Sequence, residues 1–288
     1  MQFIRTVAAS GLMLISVLAQ ADWIERSNAI TMQVLEAQGE FQPENMSSHG
    51  LNQFDSEIGS LEAGARDAFI ASNRQQVSRL QKLLKKERDA KVRQDLQILI
   101  TALENQIISE ELEHSLMLPY HNLPEALFYS FMLLLDERND PARYPAALER
   151  LRKYNGRAEG YEPLTEQAMA RSEERFGEKD LVGPYIGALE THLTKAPHLI
   201  AGIEGLFKAA GLEGWEEDYQ LLVEQLQQYQ QWMDTSMRKH AREDSRLPKA
   251  IYADNLKNYG VSATPEELMP VARYSYQLLR SEMKALAW

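Results

Sequence analysis

The sequence contains no cysteine among its 288 residues. This absence excludes a disulfide scaffold, a thiol nucleophile and every metal site that uses thiolate ligands. Glycine and proline are also sparse, because 15 and 11 residues respectively are too few for a low-complexity or collagen-like chain. We therefore expect a folded protein that is stabilised by packing alone, in a chain long enough to bury a sizeable core.

Positive charge is in deficit as well. The sequence has 31 Lys and Arg against 42 Asp and Glu, which gives a formal net charge of −11 at pH 7. Nucleic acids and anionic membrane surfaces both select clustered Lys and Arg side chains. We therefore expect no nucleic-acid partner and no membrane partner for the mature protein.

The N-terminal hydrophobic stretch is too short to span a bilayer comfortably, since a membrane helix needs about 20 apolar residues. It runs from Thr6 to Leu18 without an ionisable residue, follows the positive charge of Arg5, and ends in Ala19-Gln20-Ala21. This small-x-small pattern is typical of a signal-peptidase site. We predict a signal peptide over residues 1–21 that is cleaved after Ala21, and hence a periplasmic or secreted protein; the alternative is an uncleaved anchor.

Helical periodicity dominates residues 22–288. Apolar residues recur at spacings of three or four from Tyr219 to Met237, and again from Val77 to Ile107 on both sides of a charged stretch. The apolar run Phe131–Leu135 favours a buried helix, and Thr264 followed by Pro265 marks a helix start. Strand patterns are nearly absent. We predict an all-α fold with a single large helical domain of about eight helices and little or no β-structure.

Motifs for catalysis are missing. None of the six histidines is followed by Glu, so no HExxH zinc motif exists, and only Glu110 and His114 have a local ligand-compatible spacing. Because a third ligand is missing, this pair is more typical of a surface or capping interaction. Two Ser-x-x-Lys matches, at Ser236 and Ser281, lie in periodic helices and fit chance occurrence. We therefore predict no catalytic, cofactor-binding or metal-binding residues in this chain.

One longer pattern goes beyond periodicity. It comprises LPKAIYADNL at Leu247–Leu256, Tyr259-Gly260-Val261, TPEEL at Thr264–Leu268, and YQLLRSEM at Tyr276–Met283. Together with DPARYP at Asp140–Pro145 and the helical stretch Gly183–Gly211, it resembles the bacterial exported family called domain of unknown function 885. The resemblance covers most of residues 23–288.

This resemblance implies a zinc-dependent peptidase of the thermolysin-like superfamily for full-length relatives, whose second half carries an HExxH helix and a downstream acid. The present sequence matches only the N-terminal helical half of that pattern. None of the family's zinc-binding or catalytic residues has a matching position here, so zinc is implied only for full-length relatives. We expect this chain by itself to be inactive.

Three functions remain open at this point. The first is a non-catalytic N-terminal half of an exported zinc-peptidase-like protein, truncated or split, whose partner is a missing or separate C-terminal catalytic half. The second is a stand-alone periplasmic helical module for binding or interaction. The third is an enzyme that uses dispersed residues, which motif searches cannot detect.

The helix that begins at Pro265 has apolar residues over much of its circumference. A terminal helix of a finished domain usually has one apolar stripe and a polar outer face. We therefore expect this helix to be covered on two sides, one by this chain and one by an absent segment; the alternative is that it packs wholly within its own domain, with Trp288 capping the core. The residues that form the wide apolar arc are Leu268, Val271, Tyr274, Tyr276, Leu278, Leu279, Met283, Leu286 and Trp288.

Overall fold

The computed structural model describes residues 22–287, and over this range the protein is all-α. The described residues form no strand; two isolated bridges join Met117 to Val182 and Tyr185 to Arg242. None of the described helices is long and apolar enough to cross a membrane. The predicted signal peptide at 1–21 and the predicted capping role of Trp288 lie outside the described residues.

The eleven α-helices of residues 22–287 are α1 (22–39), α2 (Pro43–Ser48), α3 (Ala65–Lys86), α4 (Ala90–Leu116), α5 (Leu123–Leu134), α6 (Ala146–Tyr154), α7 (Leu164–Glu173), α8 (Ile186–Ala209), α9 (Glu216–Thr235), α10 (Lys249–Asn258) and α11 (Pro265–Leu286). Short 3-10 turns lie at Asn52–Phe54, Pro141–Arg143 and Met237–His240. The all-α prediction is confirmed, whereas the predicted number of about eight helices is too low.

Part of the difference between the predicted and the observed number of helices arises between Val77 and Ile107, where the apolar series continues on both sides of a charged stretch. There α3 ends at Lys86 and α4 begins at Ala90, because Asp89 Oδ1 accepts hydrogen bonds from the backbone N–H groups of Lys91 (2.9 Å) and Val92 (3.4 Å). The two helices then pack along each other as a hairpin. A periodic series alone does not reveal such a turn, because both helices bury the same kind of face.

The main core surrounds α5. Its aromatic centre is Phe131 of α5, whose ring centroid lies 5.1 Å from that of Phe207 on α8 and 5.7 Å from that of Tyr154 on α6. Leu226 and Met233 of α9 complete this cluster and are fully buried. The prediction of a buried helix around Phe131 is therefore confirmed. A second, smaller cluster lies between α1, α3 and α4.

Helix α11 begins as predicted but packs differently. Thr264 Oγ1 accepts a hydrogen bond from the Glu267 N–H (3.2 Å), and Glu267 Oε2 accepts one from the Thr264 N–H (2.8 Å), which together form a capping box. No residue of α11 is buried. From Val271 to Leu286 the wide apolar arc is exposed, and Leu268 is half-buried. The expectation that one side packs on its own chain is therefore wrong for the described residues, as is the alternative of complete packing within the domain.

The connection between α10 and α11 explains this outcome. Gly260 follows α10 with a φ of 76°, a left-handed conformation that suits glycine and ends the helix. The chain then leads α11 away from the body. The ion pair between Lys249 Nζ and Glu266 Oε1, at 3.6 Å, joins the start of α11 to α10.

Candidate functional site

A cleft of about 830 Å³ opens between the ends of several helices. The end of α4, the start of α3, the end of α7 and one face of α10 form its walls, together with the irregular segment 60–64. Phe41, Phe69, Met117 and Ile251 are among its apolar lining residues. A cleft of this size and mixed polarity is typical of a binding site for a small ligand or a short segment of chain.

The irregular segment between α2 and α3 is held in place by hydrogen bonds to its backbone. The Gly59 N–H donates to Glu44 Oε1 (3.0 Å), and the Leu61 N–H donates to Gln167 Oε1 (2.8 Å). Because these acceptors belong to α2 and α7, the segment is tied to two different helices. The part of the segment that follows the 3-10 turn at Asn52–Phe54 therefore has a defined position.

A buried ion pair fixes the same segment further upstream. Arg143 donates to Asp55 through Nε (2.8 Å to Oδ2) and Nη2 (2.7 Å to Oδ1), and Ser47 Oγ donates to Asp55 Oδ1 (2.6 Å). The two charged side chains are only 13% and 7% exposed. This bidentate geometry is the strongest form of an arginine–carboxylate interaction, so the pair is a main anchor of the segment between α2 and α3.

The positive charges in the cleft already have acidic partners. Three arginines line it, and each forms an ion pair with an acid one to three residues further along the chain. These ion pairs are Arg66 with Asp67, Arg171 with Glu174, and Arg175 with Glu178. Their charges are therefore largely balanced within the cleft wall.

Two acids of α4 differ in this respect. Within residues 22–287, no hydrogen-bond donor and no basic side chain pairs with the carboxylate of Glu110 or Glu113. Desolvation in the cleft wall is the main cause of a raised pKa of Glu110, and the charge of Glu113 raises this pKa further. The charge of Arg66 acts in the opposite direction and lowers it. Desolvation and the charge of Asp254 on α10 raise the pKa of Glu113 in the same way. The α4 side of the cleft is consequently its electronegative side.

The family resemblance implies zinc, and Glu110 with His114 was the local pair to test. His114 Nδ1 lies 3.0 Å from Arg175 Nη1, and desolvation together with the charges of Arg66 and Arg175 lowers the pKa of this imidazole. Zinc requires at least three protein ligands, and no group of three or more His, Asp or Glu in the described part of the chain is arranged to hold a metal ion. These residues therefore do not fit a zinc site.

The serines of the two Ser-x-x-Lys matches do not line the cleft. Ser281 Oγ donates to the backbone carbonyl oxygen of Gln277 (2.9 Å) on the exposed α11, and Ser236 is the C-cap of α9. A hydroxyl that is bonded to its own helix in this way has no neighbouring base to activate it. The structure therefore assigns neither serine a role as a nucleophile.

The cleft itself was not predicted from the sequence. It combines residues from four distant segments, such as Arg66, Glu110, Arg171 and Ile251. The spacing of Glu110 and His114 was the one local signal that pointed to it, and those two residues do lie in the cleft.

Comparisons with known proteins bear on the identity of the chain. A family model described as "Bacterial protein of unknown function (DUF885)" matches residues 43–288. A search of curated proteins and a search of solved structures each find no match. Because the matched range includes every helix from α2 to α11 and both sides of the cleft, the chain belongs to the DUF885 family of bacterial proteins.

Proposed function

We propose that this chain is the non-catalytic, N-terminal helical half of an exported zinc-peptidase-like protein, and that a further or separate C-terminal half supplies zinc and catalysis. The observation that carries this proposal is α11, a helix without a buried side chain, in which every apolar residue from Met269 to Leu286 is exposed. Leu279 is 58% exposed and Met283 is 70% exposed, and no α11 side chain is buried.

A helix of this kind needs a partner. Helices in water gain most of their stability from packing an apolar face against other elements, rather than from helix propensity alone. An apolar arc that covers more than one face indicates more than one neighbouring element. We therefore assign α11 the role of a docking helix, with the C-terminal catalytic half as one of its neighbours.

The cleft has a complementary role in this proposal. It lies wholly within residues 41–255 and combines apolar walls with an electronegative side at Glu110 and Glu113. These groups would hold and orient a substrate, while the reacting groups come from the other half. This chain would then contribute to substrate affinity and contribute little to the chemical step.

Export is part of the same proposal and is supported by the N-terminal sequence. Arg5, the apolar stretch that follows it and Ala19-Gln20-Ala21 have the order of a cleavable signal peptide. The mature protein would begin at Asp22 and be periplasmic. Mass spectrometry of the protein recovered from the periplasm should show this N-terminus, and intact Met1 in a membrane fraction would contradict export by cleavage.

A stand-alone periplasmic binding module is the second candidate. The cleft favours it, because its lining residues all belong to this chain and need no additional segment. In that case the cleft would bind a ligand with full affinity in the isolated protein, and α11 would serve in interaction with another protein.

Reconstitution separates the two candidates. The chain 22–288 is mixed with a separately produced HExxH-containing half of a full-length relative, and hydrolysis of a fluorogenic peptide library is followed with and without zinc chelation. We expect chelator-sensitive hydrolysis from the mixture and none from this chain alone. A matched control ends the chain at residue 262, which removes α11 but no buried side chain. An inactive mixture, or equal activity without α11, would contradict the first candidate.

A further inference from the structure

We infer that two copies of this chain pair through one side of α11, in an antiparallel arrangement. The side in question, here called the pairing stripe, comprises Leu268, Ala272, Ser275, Leu279 and Met283. The inference rests on the proposed role of α11 as a docking helix. It requires no catalytic half, since each copy supplies the same surface.

The pairing stripe follows from helix geometry. Its members are separated by three or four residues, so they form one continuous line along α11. The helix is about 33 Å long at 1.5 Å per residue, which allows contact over several turns. Ala272, Ser275, Leu279 and Met283 of this line are exposed, whereas Leu268 at its start is partly covered.

The stripe is complementary to itself in size. When two copies cross at Ser275 and Tyr276, Ala272 of one copy lies level with Leu279 of the other. The small side chain at one position leaves room for the large one opposite, and the symmetry repeats this contact on the other side of the crossing. In the same register Leu268 lies level with Met283, so two long apolar side chains meet near each end. Alternation of large and small side chains lets helices approach closely.

The distribution of charge selects the antiparallel direction. The first turn of α11 carries Glu266 and Glu267, whereas its second half carries Arg280 and Lys284. An antiparallel pair places the acidic end of one copy beside the basic end of the other, and opposes the two helix dipoles favourably. A parallel pair would bring like charges together. The antiparallel arrangement also has two-fold symmetry, so it closes as a dimer and does not extend into a fibre.

A second apolar side of α11 contains Val271, Tyr274 and Leu278, which lie about 60 to 120° around the helix from Leu268 at 100° per residue. These side chains do not face the partner when the pairing stripes are in contact. This side therefore stays free in the dimer, and it is the side available to a C-terminal half.

Cysteine cross-linking tests the direction of pairing, and the chain is suited to it because it contains no cysteine of its own. In the antiparallel pair, S275C places its two thiols beside the crossing point, whereas the two thiols of M283C, which also lies on the pairing stripe, are about 22 Å apart along the helix axis. Mild oxidation should give a disulfide-linked dimer for S275C and no disulfide-linked dimer for M283C. A parallel pair would place the two thiols of M283C at the same level, so equal cross-linking of M283C would overturn the antiparallel arrangement.

Paired substitutions test the stripe itself. Leu278 and Leu279 are neighbours with similar exposure, 48% and 58%, but they lie on different sides of the helix. Sedimentation equilibrium of the mature chain should show a dimer whose Kd rises at least about thirtyfold in L279E, the effect of losing one dominant contact residue. In L278E the Kd should stay within about threefold of the original value. Both residues are exposed, so both variants should fold.

The outcome is independent of the reconstitution experiment. A monomeric chain at tens of micromolar, or equal effects of L278E and L279E, would overturn the dimer but leave the docking of a catalytic half intact. Conversely, failure of reconstitution together with a dimer that is sensitive only to L279E would contradict the proposed function and support this inference.

Discussion

Removal of the Asp55 carboxylate should destabilise the protein strongly, because its partner Arg143 is buried with it. The guanidinium donates to both carboxylate oxygens, at 2.8 and 2.7 Å, and is only 13% exposed. After Asp55→Ala it would keep only uncharged acceptors, the carbonyl oxygen and Oγ of Ser47 and Asn139 Oδ1. Breaking one side of a buried ion pair costs about 3–5 kcal/mol, and we expect a loss in this range.

A second ion pair in the same protein is a matched control. Arg138 forms the same bidentate geometry with Asp136, at 2.8 Å for each contact, but its side chain is 85% exposed. Surface pairs contribute little to stability, because water already solvates both charges. We therefore expect D136A to leave the free energy of unfolding almost unchanged in urea denaturation.

A double substitution tests the physical reason. D55A/R143M removes the cation together with its partner, so no unpaired charge remains at this position. We expect the double variant to be more stable than D55A alone, which is a non-additive result. Two results would refute the argument that burial makes this pair important. One is a D55A variant that loses no more free energy of unfolding than D136A does. The other is an R143M substitution that destabilises D55A further, by as much as R143M destabilises the original protein.

Substitutions of core and exposed leucines should differ sharply in their effect on the free energy of unfolding. L226A should lower it by about 2–5 kcal/mol because Leu226 is fully buried. L279A on α11 should change it by less than about 0.5 kcal/mol in a monomeric sample. Thermal melts of both variants check this, and equal melting temperatures would contradict the exposed position of α11. Burial lowers the pKa of His121 in the folded protein. The unfolded chain therefore takes up a proton at this residue more readily than the folded chain does. The free energy of unfolding should consequently fall as the pH drops below about 6.5. In H121Q, the urea midpoint should fall less between pH 7 and pH 5 than it does in the original protein. An equal fall in both proteins would contradict this prediction.

The helices themselves could be predicted from the sequence, because each buries one face and so repeats apolar residues every three or four positions. The start of α11 was also predictable, since Thr264 and Pro265 are local signals that act within one turn. The turn between α3 and α4 was not, because the same periodicity continues on both sides of Asp89. Local patterns specify elements well and their interruptions less well.

The cleft and the packing of α11 depend on long-range contacts, which spacing does not encode. Glu110 and Ile251 meet in the cleft although 140 residues of chain lie between them. The apolar arc of α11 predicted that this helix is not an ordinary amphipathic helix with one covered face, and its apolar residues from Met269 to Leu286 are exposed. It could not indicate that the turn at Gly260 directs the helix away from its own domain, because an apolar face looks the same whatever covers it.

Hydrogen exchange of α11 tests the central claim, that this helix docks a further polypeptide, most directly. The L279E variant is used at low concentration so that pairing between copies does not protect the helix. We predict that the amides of residues 268–286 exchange much faster than those of the buried α9, and become protected when the HExxH-containing half of a full-length relative is added. Slow exchange of α11 in the chain alone, or unchanged fast exchange in the mixture, would contradict the account.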